Sequence, residues 1–177
     1  MTRGPTIYTV GHSTRTLEEF VELLQAHGVR QLVDVRTVPK SRRYPPFAGE
    51  ALRQSLPAVG ISYDWAKDLG GLRRPEADSV NLGWRNASFR GYADHMQSEE
   101  FERAVDDLLA RGRASDLAIM CAEAVPWRCH RSLIGDALLV RGATVLDIMT
   151  TAKAPAHRLT PFARVSGEEV TYPPPDG

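Results

Sequence analysis

Short apolar runs alternate with longer amphipathic segments along most of this chain. Strands that are apolar on both faces are typical of a parallel sheet covered by helices, and their alternation with helical segments predicts βαβ units. We therefore predict a single-domain, three-layer α/β fold with a mostly parallel, Rossmann-like sheet of about five strands and flanking helices. The predicted strands are Thr6–Val10, Gln31–Val35, Ile61–Trp65, Leu117–Cys121 and Thr144–Ile148.

The segments between these runs carry the signals that start and end helices. The clearest is a capping box formed by Thr16 and Glu19, which opens a helix that Gly28 ends. With the strands on either side, this helix predicts a βαβ unit in which the two strands pair in parallel through a right-handed crossover. Similar signals predict helices from Gly49 to about Val59, from Ser98 to Gly112 and from about Pro126 to Val140.

The length of 177 residues is enough for one domain with a full hydrophobic core. We predict that residues 1–150 form this domain. Residues 151–177 are rich in proline and lack periodicity, which predicts a C-terminal tail packed on the domain or trailing from it, with a short strand near Val170–Tyr172. The polar segment Gly70–Arg90 predicts a long loop, which in a compact domain is either functional or mobile.

Charge and hydropathy limit the classes of partner. Lys plus Arg and Asp plus Glu both number 22, so no net charge draws the molecule to nucleic acid in general, although local basic patches remain open. No run approaches the roughly twenty apolar residues of a membrane span, and no secretory signal is seen. We therefore expect a cytoplasmic protein without a membrane partner and with reduced cysteines. The oligomeric state cannot be predicted.

Polar and ionisable residues follow three of the predicted strands. In a parallel sheet the carboxyl ends of the strands meet at one edge, which is the usual position of ligand sites in open α/β folds. The sequence therefore predicts a functional cleft made by three separate loops. The residues that these loops bring to the edge are His12, Ser13, Asp34, Arg36, Cys121 and Glu123.

The segment Leu117–Ser132 contains both cysteines of the chain. If Pro126 begins a helix, Cys129 lies in its first turn, where the helix dipole and neighbouring cationic side chains favour a thiolate. We therefore predict Cys129 as the candidate nucleophile, with a structural cysteine as the alternative. Cys121 closes a buried strand and is interpreted as a small core residue. A redox pair of the two is weakly indicated, because their spacing is not that of close dithiol motifs.

Four other groups are candidates for proton transfer. Glu123 lies in the loop itself and is the preferred general base. Asp34 ends a buried strand beside arginines, so an orienting ion pair is as good an interpretation as catalysis. The remaining candidates are the two histidines His12 and His130.

No cofactor is predicted, but a divalent metal is a further candidate. The side chains available as ligands do not have the short spacings of common zinc sites, so any metal site must be assembled from distant loops. These candidate ligands are His12, His95, Cys121, Glu123, Cys129 and His130.

Arginine is concentrated in the predicted loops, where guanidinium groups can bind phosphate or carboxylate oxygens in pairs. Aromatic residues lie among these arginines, and such rings either stack bases or belong to the core. The partner we predict is an anionic small molecule or a nucleic acid. The predicted substrate-binding residues are Ser13, Arg36, Arg42, Arg43, Arg90, Tyr92, Trp127, Arg128 and Arg131.

Six short motifs are spread along the predicted domain. They are Val10-Gly11-His12-Ser13, Leu32-Val33-Asp34-Val35-Arg36, Ser41-Arg42-Arg43, Phe89-Arg90-Gly91-Tyr92-Ala93, Cys121-Ala122-Glu123 and Pro126-Trp127-Arg128-Cys129-His130-Arg131-Ser132. With these motifs the chain resembles, from about Thr6 to Ile148, a bacterial family known as "domain of unknown function 488". The resemblance implies a small α/β fold and no established activity.

Three functional hypotheses follow from these residues. The preferred one is an enzyme that binds a phosphate-bearing substrate, such as a nucleotide or nucleic acid, in the cleft. The second is a nucleic-acid-binding module without catalysis, whose affinity would fall steeply with salt. The third is sulfur transfer, because Cys121 before Arg131 and Ser132 loosely resembles the arrangement in rhodanese-type sulfurtransferases, although the loop here is longer.

Overall fold

The computed structural model describes residues 4–175. Its centre is a sheet of five strands, which are β1 Thr6–Gly11, β2 Gln31–Asp34, β3 Ser62–Trp65, β4 Leu117–Cys121 and β5 Thr144–Asp147. Their order in the sheet is β3-β2-β4-β1-β5, and every neighbouring pair is parallel. Helices cover both faces, so the predicted three-layer α/β fold is confirmed.

The helices divide between two apolar layers. The first two pack on one face of the sheet through residues such as Phe20 and Leu52, whereas the last three pack on the other face through residues such as Tyr92, Phe101 and Leu133. The helices are α1 Leu17–Ala26, α2 Gly49–Ser55, α3 Ala87–His95, α4 Glu99–Ala114 and α5 Arg131–Val140.

The first predicted βαβ unit forms, but its two strands do not pair with each other. β4 lies between β1 and β2 and is hydrogen-bonded to both. All five residues of β4 are buried, which is the burial expected of a central strand covered on both faces. The parallel direction of β1 and β2 is as predicted, and only their adjacency was wrong.

The predicted starts of α1 and α4 are confirmed, whereas the end of α4 and the start of the last helix differ from the prediction. The capping box at Thr16 and Glu19 is present, and Ser98 caps α4. Gly112 does not end α4, which continues to Ala114. The last predicted helix begins five residues late: Pro126–Arg128 is a separate 3-10 turn, and α5 starts only at Arg131.

α3 begins within the segment predicted as a long loop and continues beyond it to His95. Its start is fixed by the side chain of Asn86, which accepts hydrogen bonds from the backbone N–H groups of Ser88 and Phe89. Gly91 allows this helix to touch the preceding loop, because a Cβ at this position would lie 2.0 Å from the carbonyl oxygen of Arg73. The helix was not predicted because its apolar residues are less clearly gathered on one side than those of α4, and because it contains this glycine.

The described part of the C-terminal tail lies against the domain. The backbone N–H of His157 donates to Val145 in β5, and Tyr172 is completely buried. A hairpin, β6 Arg164–Ser166 with β7 Glu169–Thr171, precedes Tyr172. Across residues 4–175, no helix has the length and apolar character needed to cross a membrane.

Candidate active site

After the central strand β4, the chain turns to the other face of the sheet from the one it takes after the neighbouring strands. After β1 and β2 it turns to the layer of α1 and α2, whereas after β4 it turns to α5 on the other face. Diverging loops open a crevice beyond the carboxyl ends of parallel strands. Two adjoining cavities of about 330 and 570 Å³ lie here, and they share Arg36, Thr37, Leu72 and Ala122 as lining residues.

Both cysteines line the smaller cavity, and each thiol shifts the pKa of the other. Burial raises the pKa of the Cys121 thiol, but the hydrogen bond from Cys129 and the charge of Arg131 outweigh it and lower that pKa to about 7. Arg131 Nη1 donates to Cys121 Sγ over 3.0 Å. The interaction with Cys121 and burial both raise the pKa of the Cys129 thiol. Cys121 is therefore the thiol that ionises first.

The predicted position of Cys129 in the first turn of a helix is wrong, because the residue follows the short 3-10 turn with an extended backbone of φ −139° and ψ 148°. The dipole that was expected to favour its thiolate is therefore not aligned on it. Cys121 was predicted at the cleft edge but interpreted mainly as a small core residue, and the signal for its contact with Arg131 was a strand end followed ten residues later by an arginine.

His130 lies beside the thiol pair with its protonation pattern fixed. Its Nε2 is 2.7 Å from the carbonyl oxygen of Val35, which can only accept, so Nε2 carries the hydrogen. Nδ1 then lies 3.6 Å from Cys129 Sγ with its lone pair available. Burial lowers the pKa of His130, which favours the neutral ring. A neutral imidazole in this position can accept a hydrogen bond from the Cys129 thiol.

Arg36 is held by Asp34 and lines both cavities. Its Nη2 donates to Asp34 Oδ2 over 2.7 Å, its Nε donates to Oδ1 over 3.0 Å, and Tyr63 donates to the same carboxylate. Asp34 is completely buried and is a lining residue of neither cavity. The predicted proton-transfer role is therefore not supported by its position, which fits the ion-pair alternative.

The arginines predicted to bind an anion have different surroundings. Arg36 and Arg128 line the smaller cavity, but Arg131 is completely buried with its donors directed to protein atoms. Arg90 donates to the carbonyl oxygen of Trp84 and closes the loop before α3. The exposed Arg42 and Arg43 line neither of the two adjoining cavities. Of the arginines predicted to bind an anion, Arg36 and Arg128 therefore line the cleft.

His12 and Ser13 line the larger cavity, across Arg36 from the thiols. The His12 ring stacks on Phe47 with 4.5 Å between ring centroids, and its Nδ1 lies 2.9 Å from the carbonyl oxygen of Ser13. Burial lowers the pKa of His12. The two predicted histidines thus lie in adjoining chambers of one cleft and not at a single point.

Aromatic residues are mostly used for packing. Trp84 contacts Phe89, Phe162 and Tyr172, with ring centroids 4.8 to 5.4 Å apart. Trp127 is 66% exposed but lines a separate cavity beside the C-terminal tail. Phe89 and Tyr92 both line the smaller cavity, where the Tyr92 hydroxyl donates to the carbonyl oxygen of Leu69.

The candidate metal ligands do not form a cluster. No group of three or more His, Cys, Asp or Glu side chains within residues 4–175 is arranged to hold a metal ion. Glu123 is exposed at the smaller cavity, and His95 Nε2 lies 2.7 Å from the carbonyl oxygen of Asp68.

Some lining residues were not predicted. In the smaller cavity they are hydroxyl, amide and apolar groups of the loops before α3 and after β2. The signal that could have indicated two of them is the Asn86-x-Ser88 helix start. These residues are Thr37, Leu72, Asn86 and Ser88.

Comparison with known proteins gives one match. Residues 16–138 match the model of the family described as Domain of unknown function DUF488. The searches of the curated proteins and of the solved structures gave no match.

Proposed function

The chain belongs to the family described as Domain of unknown function DUF488, and we propose from the cleft itself that the protein is an enzyme with a thiolate nucleophile. Its substrate is a small phosphate-bearing molecule, such as a nucleotide or the end of a nucleic acid. Cys121 attacks this substrate, and Arg36 and Arg128 bind its phosphate. Reduced thiols are required, which agrees with the cytoplasmic location expected from the sequence.

The observation that carries this proposal is the position of Cys121. Its sulfur accepts a hydrogen bond from Arg131 and has a pKa lowered to about 7 by Cys129 and Arg131 despite burial, so a large fraction is thiolate at neutral pH. The same cavity is lined by Arg36 and Arg128, whose guanidinium groups suit phosphate oxygens. A nucleophile and an anion site in one small cavity support group transfer from an anionic substrate.

The reaction proceeds in two steps. The Cys121 sulfur forms a bond to phosphorus while the bond from phosphorus to the leaving oxygen breaks, and that oxygen takes a proton from solvent. Water then attacks phosphorus and releases the thiolate together with inorganic phosphate. We assign removal of the water proton to Glu123, which is exposed at the cavity.

Alkylation of the thiol tests the site without knowledge of the natural substrate. Iodoacetate should modify Cys121 with a pH midpoint of about 7 and faster than neutral iodoacetamide, because the arginines attract the anionic reagent. Inorganic phosphate should protect the thiol. Arg128→Gln should weaken this protection, whereas Arg42→Gln, at an exposed site outside both chambers, should leave it unchanged.

Turnover is then tested with small phosphate monoesters, where Cys121→Ser should abolish phosphate release. The proposal is wrong if Cys121 resists iodoacetate at neutral pH, or if Cys121→Ser releases phosphate at the wild-type rate. Binding of nucleic acid that survives Cys121→Ser and falls steeply with salt would instead favour the non-catalytic module.

Sulfur transfer is a second candidate, favoured by the contact of Arg131 with a strand-end cysteine. The loop after Cys121 argues against it, because the carbonyl groups of Glu123 and Ala124 face Arg131 and accept its hydrogen bonds. Treatment with thiosulfate followed by intact-mass measurement separates the candidates. A gain of one sulfur atom that is lost in Cys121→Ser would support sulfur transfer.

A further inference from the structure

A buried chain of hydrogen bonds connects the C-terminal tail to the Cys121 sulfur. We propose that Thr9, Asp147 and His157 are positioning residues, which hold the Arg131 guanidinium against Cys121. This inference rests on the proposed function, because it gives the tail a role in activating the nucleophile. None of the three lines the smaller cavity, so they act through Arg131 and do not touch the substrate.

The first part of this hydrogen-bond chain runs from Cys121 in β4 to Asp147 in β5. Arg131 Nη1 donates to Cys121 Sγ over 3.0 Å, and Arg131 Nε donates to Thr9 Oγ1 over 3.2 Å. Thr9 Oγ1 in turn donates to Asp147 Oδ1 over 2.6 Å. Because a guanidinium group is planar, fixing Nε on β1 fixes the direction in which Nη1 points.

The second part of the chain lies in the tail. His157 Nδ1 is 3.2 Å from Asp147 Oδ2, and His157 Nε2 is 3.0 Å from Asp136 Oδ1. Burial lowers the pKa of His157, but hydrogen bonds with the two carboxylates outweigh it and raise that pKa to about 9. His157 is therefore a cation at neutral pH and holds Asp147 toward Thr9. Thr160 and Tyr172 donate to the other oxygen of Asp136 and complete the attachment of the tail.

Strand geometry places Thr9 where this role requires it. Gly11 is the register partner of Cys121 in the pairing of β1 with β4. Thr9 is two residues earlier in β1 and lies on the same face as Gly11, because side chains alternate along a strand. Arg131 packs across this face, with Glu123 and Ala124 accepting its remaining hydrogen bonds from the loop side. Thr9 is thus its anchor on the sheet.

Other groups also act on Cys121, and the test must leave them in place. They are the thiol of Cys129 and the charged or titratable side chains that share the cavity. A change at Thr9 alters none of them, so a shift in the thiol titration reports the orientation of Arg131. The cavity groups are Arg36, Tyr92, Glu123, Arg128 and His130.

The experiment compares Thr9→Val with Thr9→Ser in the full chain. Valine keeps the shape but removes the hydroxyl, so the pH midpoint for alkylation of Cys121 by iodoacetate should rise. The rate below that midpoint should fall about tenfold for each unit of increase. Serine keeps the hydroxyl and should restore the wild-type profile. Unfolding by urea is measured for each variant to establish that it is folded.

Thr160→Val is the matched control for the tail. It removes a hydrogen bond to Asp136 but leaves the chain from His157 to Arg131 intact, so the thiol profile should not change. If Thr9→Val does not fold, His157→Gln replaces it. A glutamine that contacts Asp136 cannot contact Asp147 at the same time, so the pH midpoint for alkylation of Cys121 should again rise.

The outcomes separate the two proposals. A folded Thr9→Val or His157→Gln protein with the wild-type thiol profile overturns the positioning role while leaving the nucleophile intact. An equal shift in Thr160→Val also overturns it, because the tail would then act only through stability. A wild-type Cys121 that resists iodoacetate at neutral pH overturns the proposed function itself.

Discussion

Gly11 at the end of β1 and the carbonyl group of Glu123 occupy adjoining space: a Cβ on Gly11 would lie 1.6 Å from the Glu123 oxygen. That oxygen accepts a 2.7 Å hydrogen bond from Arg131 Nη1, the atom that also contacts Cys121. The close approach of β1 to the loop after β4 therefore helps to hold Arg131 beside the Cys121 thiol.

Gly11→Ala should displace the Glu123 carbonyl and disturb Arg131. We expect a loss of about 1–3 kcal/mol in the free energy of unfolding, as for other overpacked sites, measured by urea denaturation. Alkylation of Cys121 should also slow at neutral pH. Gly60→Ala is the control, because a Cβ there meets nothing within 4 Å and its left-handed backbone costs stability far from the thiols. Slower alkylation in both variants would contradict the prediction.

The two thiols should depend on each other. Cys129→Ala removes the hydrogen bond that helps to lower the pKa of Cys121, so the alkylation midpoint of Cys121 should rise above about 7. Cys121→Ala removes the main cause of the raised pKa of Cys129, which should then become more reactive. Peptide mass spectrometry after alkylation at several pH values measures both. Independent titration of the two thiols would show that they do not interact.

The free energy of unfolding should depend on pH through His157. Its pKa is raised from 6.5 to about 9 on folding, so its contribution is fully present below about pH 6.5 and is lost as the pH rises through about 9. The full contribution is about 3 kcal/mol by linkage. Urea unfolding of the wild type and of His157→Gln should therefore differ more at low pH than above pH 9. A constant difference would contradict the assignment.

Asn86 should stabilise α3, which carries part of the cavity wall. Asn86→Ala removes the acceptor for the N–H groups of Ser88 and Phe89 and should cost about 1 kcal/mol in the free energy of unfolding. Asn86→Asp keeps an acceptor at the helix start and should cost much less. Urea denaturation distinguishes the two, and equal losses would mean that the cap is not the source of the effect.

Local sequence patterns determined most of the elements. Apolar runs fixed the five strands, and the capping residues Thr16 and Ser98 fixed two helix starts, because these signals depend on neighbours in the chain. The convergence of His12, Arg36 and Cys121 on one cleft was also predictable, since parallel strands end at one edge whatever their order.

Only the tertiary structure decided the order of the strands and the state of the polar groups. The insertion of β4 between β1 and β2 is not encoded in either neighbour alone. Which thiol ionises depends on Arg131 reaching Cys121, and the fate of Asp34 depends on both Arg36 and Tyr63. The physical reason is that charge and hydrogen bonding in a buried site are set by partners distant in sequence, whereas strand and helix signals are set by adjacent residues.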